Sequence, residues 1–245
     1  MLRPALALLR PSRLPSQCEI CRQWVDADMH QIQPGALCAD CISRFAAPRP
    51  RCQRCGLRMG VESPACGDCL RDAPPFEHTV CAVDYGFPWD GLVAAFKFHG
   101  RVELAFALAA LMARAVHAAG RPAPHWVLPV PLSPRRLAER GYNQAWELAR
   151  TLAATLGLRA DAGLLLRHGD TAHQADLGRA ERQRNLRSAF MVEPRRRTEL
   201  QGARVALVDD VMTTGATVRE AAALLRRAGA AAVDVWVLAR TPEPR

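Results

Sequence analysis

The sequence contains no apolar run long enough to cross a membrane. A membrane-spanning helix needs roughly 20 consecutive apolar residues, and no stretch of this chain approaches that length. The apolar stretch at residues 5–9 is also shorter than the core of a secretory signal, and no small-residue cleavage site follows it. We therefore expect no membrane insertion and a cytoplasmic location.

Lysine is almost absent, since Lys97 is the only lysine among 33 basic residues. With 24 acidic residues the formal net charge is +9, and residues 133–197 alone hold 13 arginines against 7 acidic residues. This excess is compatible with an anionic partner such as a phosphate or a nucleic acid, although a general preference for arginine would look the same. The glycine-rich motif of Walker-type nucleotide sites, which ends in Lys-Ser or Lys-Thr, does not occur, and this absence excludes such a site.

Eight of the nine cysteines, in contrast, form four Cys-x-x-Cys pairs within residues 18–69. Two residues between thiols place both sulfurs on one side of a tight turn, where they can share a tetrahedral ion. Disulfides are disfavoured in a reducing compartment, and a redox site would be a single pair near a strand–helix–strand unit. The spacing therefore predicts two structural zinc ions. An interleaved pairing is open, but the simplest, sequential one assigns Cys18, Cys21, Cys38 and Cys41 to one zinc and Cys52, Cys55, Cys66 and Cys69 to the other.

The composition divides the chain into three parts. Residues 1–17 are expected to form a flexible tail and residues 18–72 a double zinc ribbon, which shows almost no strand or helix pattern. After a proline-rich junction, residues 76–240 alternate strand and helix patterns, which predicts an α/β domain with a mostly parallel sheet. Strands are predicted at residues 78–85, 126–130, 205–208 and 232–238, and helices at residues 92–98, 102–119, 134–156 and 217–228.

Gly141 interrupts the helical pattern of residues 134–156. A glycine inside a helix costs roughly 1 kcal/mol relative to alanine, so a functional reason for it is one interpretation. The other is that a helix simply begins after this glycine.

The most informative segment follows the predicted strand 205–208. Two adjacent carboxylates, Asp209 and Asp210, come at its end, and a hydroxyl-rich turn with Gly215 leads into a helix. The carboxyl edge of a parallel sheet is where α/β proteins bind ligands, and the start of a helix offers free N–H groups to a phosphate. Carboxylates suit the two hydroxyls of a ribose. An ordinary strand-to-helix connection is the alternative, but two adjacent carboxylates are costly there unless a ligand, metal or cation satisfies them.

Residues 205–217 resemble the signature of the type I phosphoribosyltransferases, which bind 5-phosphoribosyl 1-pyrophosphate (PRPP). Further segments narrow the resemblance to the ComF family, which includes the competence proteins of naturally transformable bacteria. These segments are residues 129–132, residues 140–144, residues 167–174 and the single residues Glu181, Arg182, Asn185 and Phe190. The cysteine pairs that precede them also match the family.

The resemblance implies the type I phosphoribosyltransferase fold and a role for each matching residue. Asp209 and Asp210 would hold the ribose hydroxyls, and a loop around Pro131 would bind pyrophosphate with Mg²⁺. Residues 174–185 would be either the flexible catalytic loop or a solvated helix. The resemblance assigns the 5′-phosphate to Thr213, Thr214, Gly215, Ala216 and Thr217, and it adds Val211 and Met212 to the PRPP-binding residues. The nearest candidates for the pyrophosphate charge are Arg135, Arg136 and Arg140.

Two functions follow from the resemblance. In one, the chain is a Mg²⁺-dependent phosphoribosyltransferase in which Asp209, Asp210 and Arg140 are catalytic. In the other, it is a non-catalytic PRPP-sensing adaptor that binds single-stranded DNA with the DNA-uptake machinery. No segment predicts a purine or pyrimidine pocket, so the acceptor of a transfer reaction is not indicated.

Overall fold

A computed structural model describes residues 16–25, 36–61, 63–167 and 189–242. Within these ranges the strands are β1 (Ser16–Gln17), β2 (Trp24–Val25), β3 (His78–Asp84), β4 (Trp126–Pro129), β5 (Leu165–Arg167), β6 (Phe190–Val192), β7 (Arg204–Met212) and β8 (Ala232–Arg240). The α-helices are α1 (Ala39–Phe45), α2 (Gly67–Arg71), α3 (Trp89–Phe98), α4 (Leu104–Ala119), α5 (Pro134–Arg140), α6 (Gln144–Leu156) and α7 (Ala216–Arg227), and Pro194–Leu200 forms a 3₁₀ helix.

The main sheet has the strand order β3-β8-β7-β4, and all three pairings are parallel. The carboxyl ends of the four strands therefore lie at one edge of the sheet, which is where ligands bind in folds of this kind. This arrangement confirms the predicted α/β architecture. The pairs β1–β2 and β5–β6 are small antiparallel additions.

Residues on each strand alternate between two apolar cores, one on each face of the sheet. On β7, Ala206 and Val208 face the core formed with α3, α4 and α6, whereas Val205 and Leu207 face the core formed with α7. Successive strand residues point to opposite faces, so a strand covered by helices on both sides must be apolar at every position. This requirement explains why residues 205–208 of β7 and residues 235–239 of β8 are all apolar.

The predicted helix over residues 134–156 is two helices. Gly141 has φ +79° and ends α5 in the left-handed region, which favours glycine. Asn143 then caps α6, because its Oδ1 accepts a hydrogen bond from the Ala145 N–H at 3.0 Å. The glycine is therefore needed for a turn between two helices.

Strand β7 runs further than the predicted residues 205–208. Its pairing with β8 continues to Met212, which lies opposite Arg240. Asp209 and Asp210 thus belong to the last part of the strand, and only residues 213–215 separate it from α7. These three residues are called the hydroxyl turn below.

The N-terminal segment contains two short helices, α1 and α2, that its sequence pattern does not indicate. Each of these helices directly follows a cysteine. Cys38 precedes α1 and Cys66 precedes α2. The segment packs on the main domain, where the Trp89 indole N–H donates to the Phe45 carbonyl at 3.0 Å. None of the helices in the described ranges is both long and apolar enough to cross a membrane.

Candidate functional site

The acidic pair, Asp209 and Asp210, lies at the carboxyl edge of β7. Asp210 is only 6% exposed, and Asp209 is half-buried. Burial, followed by the charge of Asp210, raises the pKa of Asp209 to about 7, although Lys97 and Arg140 act in the opposite direction. Such a pair needs positive charge or hydrogen-bond donors to hold it ionised.

Lys97 on α3 supplies part of this charge. Its Nζ lies 2.9 Å from Oδ1 of Asp210, and both side chains are largely buried. The sequence suggests only that this lysine reaches a phosphate or stabilises the end of its helix. The structure shows instead that the sole lysine of the chain neutralises half of the acidic pair.

The hydroxyl turn exposes its threonines directly above the start of α7. Thr213 and Thr214 are exposed, and Gly215 has φ +75°. A Cβ atom at Gly215 would lie 2.5 Å from Cε of Met212, so this position needs glycine for its conformation and is crowded as well. The turn leaves the first N–H groups of a 12-residue helix at the same sheet edge as the acidic pair.

Residues 130–133, the proline loop, lie beside the acidic pair. The register of β4 places Pro129 opposite Val208, and the Val130 N–H donates to the Val208 carbonyl at 2.8 Å. Asn143 holds this loop from the other side, since its Nδ2 donates to the Val130 carbonyl at 3.2 Å. The turn after Gly141 therefore fixes both the start of α6 and the position of the proline loop.

The three arginines of α5 differ in their surroundings. Arg140 is held inward, because its Nη1 donates to Oε1 of Gln144 at 2.9 Å and its guanidinium lies 5.2 Å from the Phe98 ring centre. Arg136 is exposed, and Arg135 forms an exposed ion pair with Glu139 at 2.8 Å. Of the three arginines, Arg140 is the one whose charge lowers the pKa of Asp209, and the other two lie exposed on the helix.

The eight paired cysteines gather into two clusters in the sequential arrangement. The first cysteine cluster is Cys18, Cys21, Cys38 and Cys41, and the second is Cys52, Cys55, Cys66 and Cys69; within each, the sulfurs lie within 4.8 Å of one another.

The separation of the sulfurs suits a tetrahedral zinc ion. The Cys21 and Cys38 sulfurs are 3.7 Å apart, and the Cys55 and Cys66 sulfurs are 3.6 Å apart. Zinc–sulfur bonds of about 2.3 Å require sulfurs about 3.8 Å apart in a tetrahedron. The two clusters therefore could each bind zinc, and neither would leave a coordination position for chemistry.

Backbone N–H groups lower the pKa of a thiol in each cluster, whereas burial raises it. Burial alone would raise the pKa of the Cys18 thiol, but N–H groups of Cys21 and Cys38 lower it to about 7. In the second cluster, burial and the charge of Cys52 raise the pKa of Cys55 to about 11, against a hydrogen bond from the Leu57 N–H. Four neighbouring thiols cannot all ionise without a cation, whereas a divalent ion would stabilise all four as thiolates.

Part of the family-like sequence lies outside the described residues. This holds for residues 168–188, which include Glu181, Arg182, Asn185 and the segment 174–185. Arg167 and Phe190, at its two ends, are described, and the guanidinium of Arg167 lies 5.4 Å from the Phe190 ring centre.

Sequence reasoning also missed a buried arginine beside the hydroxyl turn. Arg240 ends β8, two residues beyond the predicted strand, and bonds the Met212 carbonyl with its Nη1 at 3.3 Å. A charged residue directly after the apolar run of residues 235–239 was the available signal.

Comparisons with known proteins identify the family of this chain. Residues 147–245 match the model of the phosphoribosyl transferase domain family. The DNA utilization protein YhgH of Salmonella typhi is 38% identical over 232 residues, which cover 93% of this chain and 98% of that protein. Competence protein F of Haemophilus influenzae is 34% identical over 228 residues, covering 91% of this chain and 96% of that protein.

Competence protein ComFC of Bacillus subtilis is 30% identical over 198 residues, covering 78% of each chain. Among solved structures, the glutamine PRPP amidotransferase from B. subtilis aligns with a TM-score of 0.41 and 19% identity, over 59% of this chain and 30% of that chain. The near full-length relatives at 34–38% identity, with the matching domain model, decide the family. The chain belongs to the ComF family and has the phosphoribosyltransferase fold.

Proposed function

We propose that this chain binds PRPP with Mg²⁺ at the carboxyl edge of its parallel sheet. One observation carries the proposal: the acidic pair, the hydroxyl turn and the proline loop converge at that edge from β7 and its neighbour β4. The pair would accept hydrogen bonds from the two ribose hydroxyls, and residues 213–217 would donate to the 5′-phosphate. The proline loop with Pro131, and the nearby Arg140, would face the pyrophosphate.

As a transferase, the protein would break the bond between C1′ of the ribose and the pyrophosphate oxygen. The electron pair of that bond leaves with pyrophosphate, and an acceptor nucleophile forms the new bond to C1′. Asp209 and Asp210 would stabilise the positive charge that develops on the sugar, and Arg140 the negative charge on the leaving group. Carboxylates are ligands that suit Mg²⁺, which would neutralise the pyrophosphate while substrate oxygens and waters supply most of its ligands.

A second proposed function is a non-catalytic, PRPP-sensing adaptor for single-stranded DNA. The names of the relatives, a DNA utilization protein and two competence proteins, favour this alternative. The exposed arginines of α5 would contact DNA phosphates. Association with the DNA-uptake machinery belongs to the same proposal.

We further propose that residues 18–72 bind two structural zinc ions as a double zinc ribbon, while residues 76–240 carry the PRPP site. Cysteines held as metal-bound thiolates rather than as disulfides suit a reducing compartment, which supports a cytoplasmic location.

Incubation with PRPP, Mg²⁺ and a metabolite extract of cells separates the two functions. Release of pyrophosphate together with a ribosylated product supports the transferase. PRPP binding without turnover, combined with salt-sensitive binding of single-stranded DNA, supports the adaptor. If PRPP does not bind at all, both functions are wrong.

A further inference from the structure

Arg240 lies at a junction between the hydroxyl turn and the second cysteine cluster. The side chain is 7% exposed, and its Nη1 donates to the carbonyls of Met212 at 3.3 Å, Thr241 at 2.7 Å and Thr213. Its Nε donates to the Cys55 carbonyl at 3.1 Å. One buried guanidinium thus holds the end of β7 and the backbone of a cluster cysteine at the same time.

Asp84, the residue opposite Arg240 in the β3–β8 register, pairs with Arg51 and Arg58 and not with Arg240. Within the described ranges, none of the ion pairs shorter than 4.0 Å includes this guanidinium, which is satisfied by neutral carbonyls. A buried cation of this kind is costly without an opposite charge. An anion in the hydroxyl turn would supply that charge, because the guanidinium bonds the carbonyls of Met212 and Thr213 at the start of the turn.

The Cys55 carbonyl is positioned to accept the hydrogen bond from Arg240 only while the turn that contains Cys55 keeps its conformation. The Thr79 N–H donates to the Gln53 carbonyl at 2.8 Å, and the Thr79 hydroxyl donates to the Arg54 carbonyl at 2.6 Å. On the other side, the sulfurs of Cys52 and Cys55 would be tied to one metal ion. Loss of the ion would free the turn on the side that faces the second cluster.

A second contact ties the same segment to the helix that follows the hydroxyl turn. Arg219 on α7 donates to Oδ2 of Asp72 at 3.2 Å and to the Asp72 carbonyl at 3.1 Å. Asp72 directly follows α2, the helix that carries Cys69. The turn and α7 are therefore both connected to the second cysteine cluster.

We propose that Arg240 is a positioning residue that couples metal in the second cysteine cluster to anion binding at the hydroxyl turn. This inference rests on the proposed function, because the anion is the 5′-phosphate of PRPP. Coupling between two binding sites is reciprocal. Zinc in the second cluster should therefore strengthen PRPP binding, and PRPP should slow the release of that zinc.

The test compares Arg240→Gln and Arg240→Lys with the wild type, and uses Arg121→Gln as the matched control. Arg121 lies near Asp234 and Glu77, at the opposite edge of the same sheet. PRPP affinity is measured by calorimetry with Mg²⁺, and zinc release by a chromogenic chelator with and without PRPP. A Cys38→Ser variant disables only the first cluster. The phase of zinc release that remains in this variant therefore belongs to the second cluster.

Arg240→Gln should weaken PRPP binding at least about tenfold, because charge-assisted hydrogen bonds to a rigid loop are lost. It should also speed zinc release from the second cluster and abolish the protection of that zinc by PRPP. Arg240→Lys keeps the positive charge but loses the several N–H donors of the guanidinium. It should therefore bind PRPP more tightly than Arg240→Gln, but PRPP should still not slow the release of zinc from its second cluster. Arg121→Gln should match the wild type in every measurement.

The outcomes distinguish this inference from the proposed function. Wild-type protein that binds PRPP while its zinc release is unaffected by PRPP overturns the coupling alone. The coupling is also overturned if Arg240→Gln and Arg121→Gln show the same PRPP affinity and the same zinc release. Wild-type protein that fails to bind PRPP overturns the proposed function, and the coupling to a phosphate ligand with it.

Discussion

Replacing Lys97 by methionine should cost about 2–3 kcal/mol of unfolding free energy at about pH 8, which is above the pKa of Asp209, about 7. Lys97 Nζ lies 2.9 Å from Asp210 Oδ1, and the two side chains are 17% and 9% exposed. Breaking a fully buried pair costs about 3–5 kcal/mol, whereas an exposed pair contributes about 0–1 kcal/mol. This pair is close to the buried limit, and the neighbouring Asp209 carboxylate adds repulsion once the lysine is gone.

A double-mutant cycle isolates the contribution of the pair itself. Lys97→Met leaves a buried carboxylate without its cation, and Asp210→Asn leaves a buried ammonium without its anion. The double variant leaves neither, so its loss of stability should fall short of the sum of the single losses by about 2 kcal/mol. Urea unfolding of the zinc-loaded protein measures each value, provided that the m-values agree.

The exposed pair Arg135–Glu139 is the matched control for this cycle. It has a similar distance, 2.8 Å, but its side chains are 64% and 56% exposed. Its coupling energy should stay below about 0.5 kcal/mol. A Lys97–Asp210 coupling no larger than that of the control would show that the lysine does not neutralise the acidic pair in the folded protein.

Three other predictions concern the hydroxyl turn, the acidic pair and the cysteine clusters. Gly215→Ala should destabilise the fold by about 1–2 kcal/mol, and by more than Gly141→Ala, because both glycines have positive φ but only a Cβ at position 215 meets Met212; equal losses in urea unfolding would contradict this. The pKa of Asp209 is raised from 3.8 to about 7, so the folded state holds a proton that the unfolded chain releases, and stability should fall as pH rises through that window. Asp209→Asn should reduce this slope, and an unchanged slope refutes the effect. Strong chelation should release about two zinc ions per chain and unfold mainly the cysteine-rich segment; metal analysis that finds one zinc or none rejects the model of two zinc sites.

The parts of the molecule that the sequence predicts are those encoded locally. The Cys-x-x-Cys spacing, the strand that leads into Asp209 and Asp210, and the turn before α7 all lie within short segments. In each of these segments the residue types alone indicate what the segment can bind. The parallel sheet follows in the same way from the alternation of apolar strands with helices.

The contacts that hold the site depend on pairing between distant segments. Lys97 meets Asp210 only because α3 packs on the face of the sheet toward which Asp210 points. Arg240 meets the hydroxyl turn because β8 stays in register with β7 to its last residue. Neither register nor helix packing can be obtained from periodicity alone, so the sequence indicated neither the pairing of Lys97 with Asp210 nor the position of Arg240 beside the turn.

Titration of PRPP with Mg²⁺ into three proteins tests the proposed ribose site most directly. The wild type should bind PRPP, and the double variant Asp209→Asn with Asp210→Asn should fold but bind no PRPP that calorimetry detects. Asp234→Asn, which changes a buried aspartate at the opposite edge of the same sheet, should keep the wild-type affinity. If the double variant retains the affinity of the wild type, the acidic pair does not hold the ribose of PRPP.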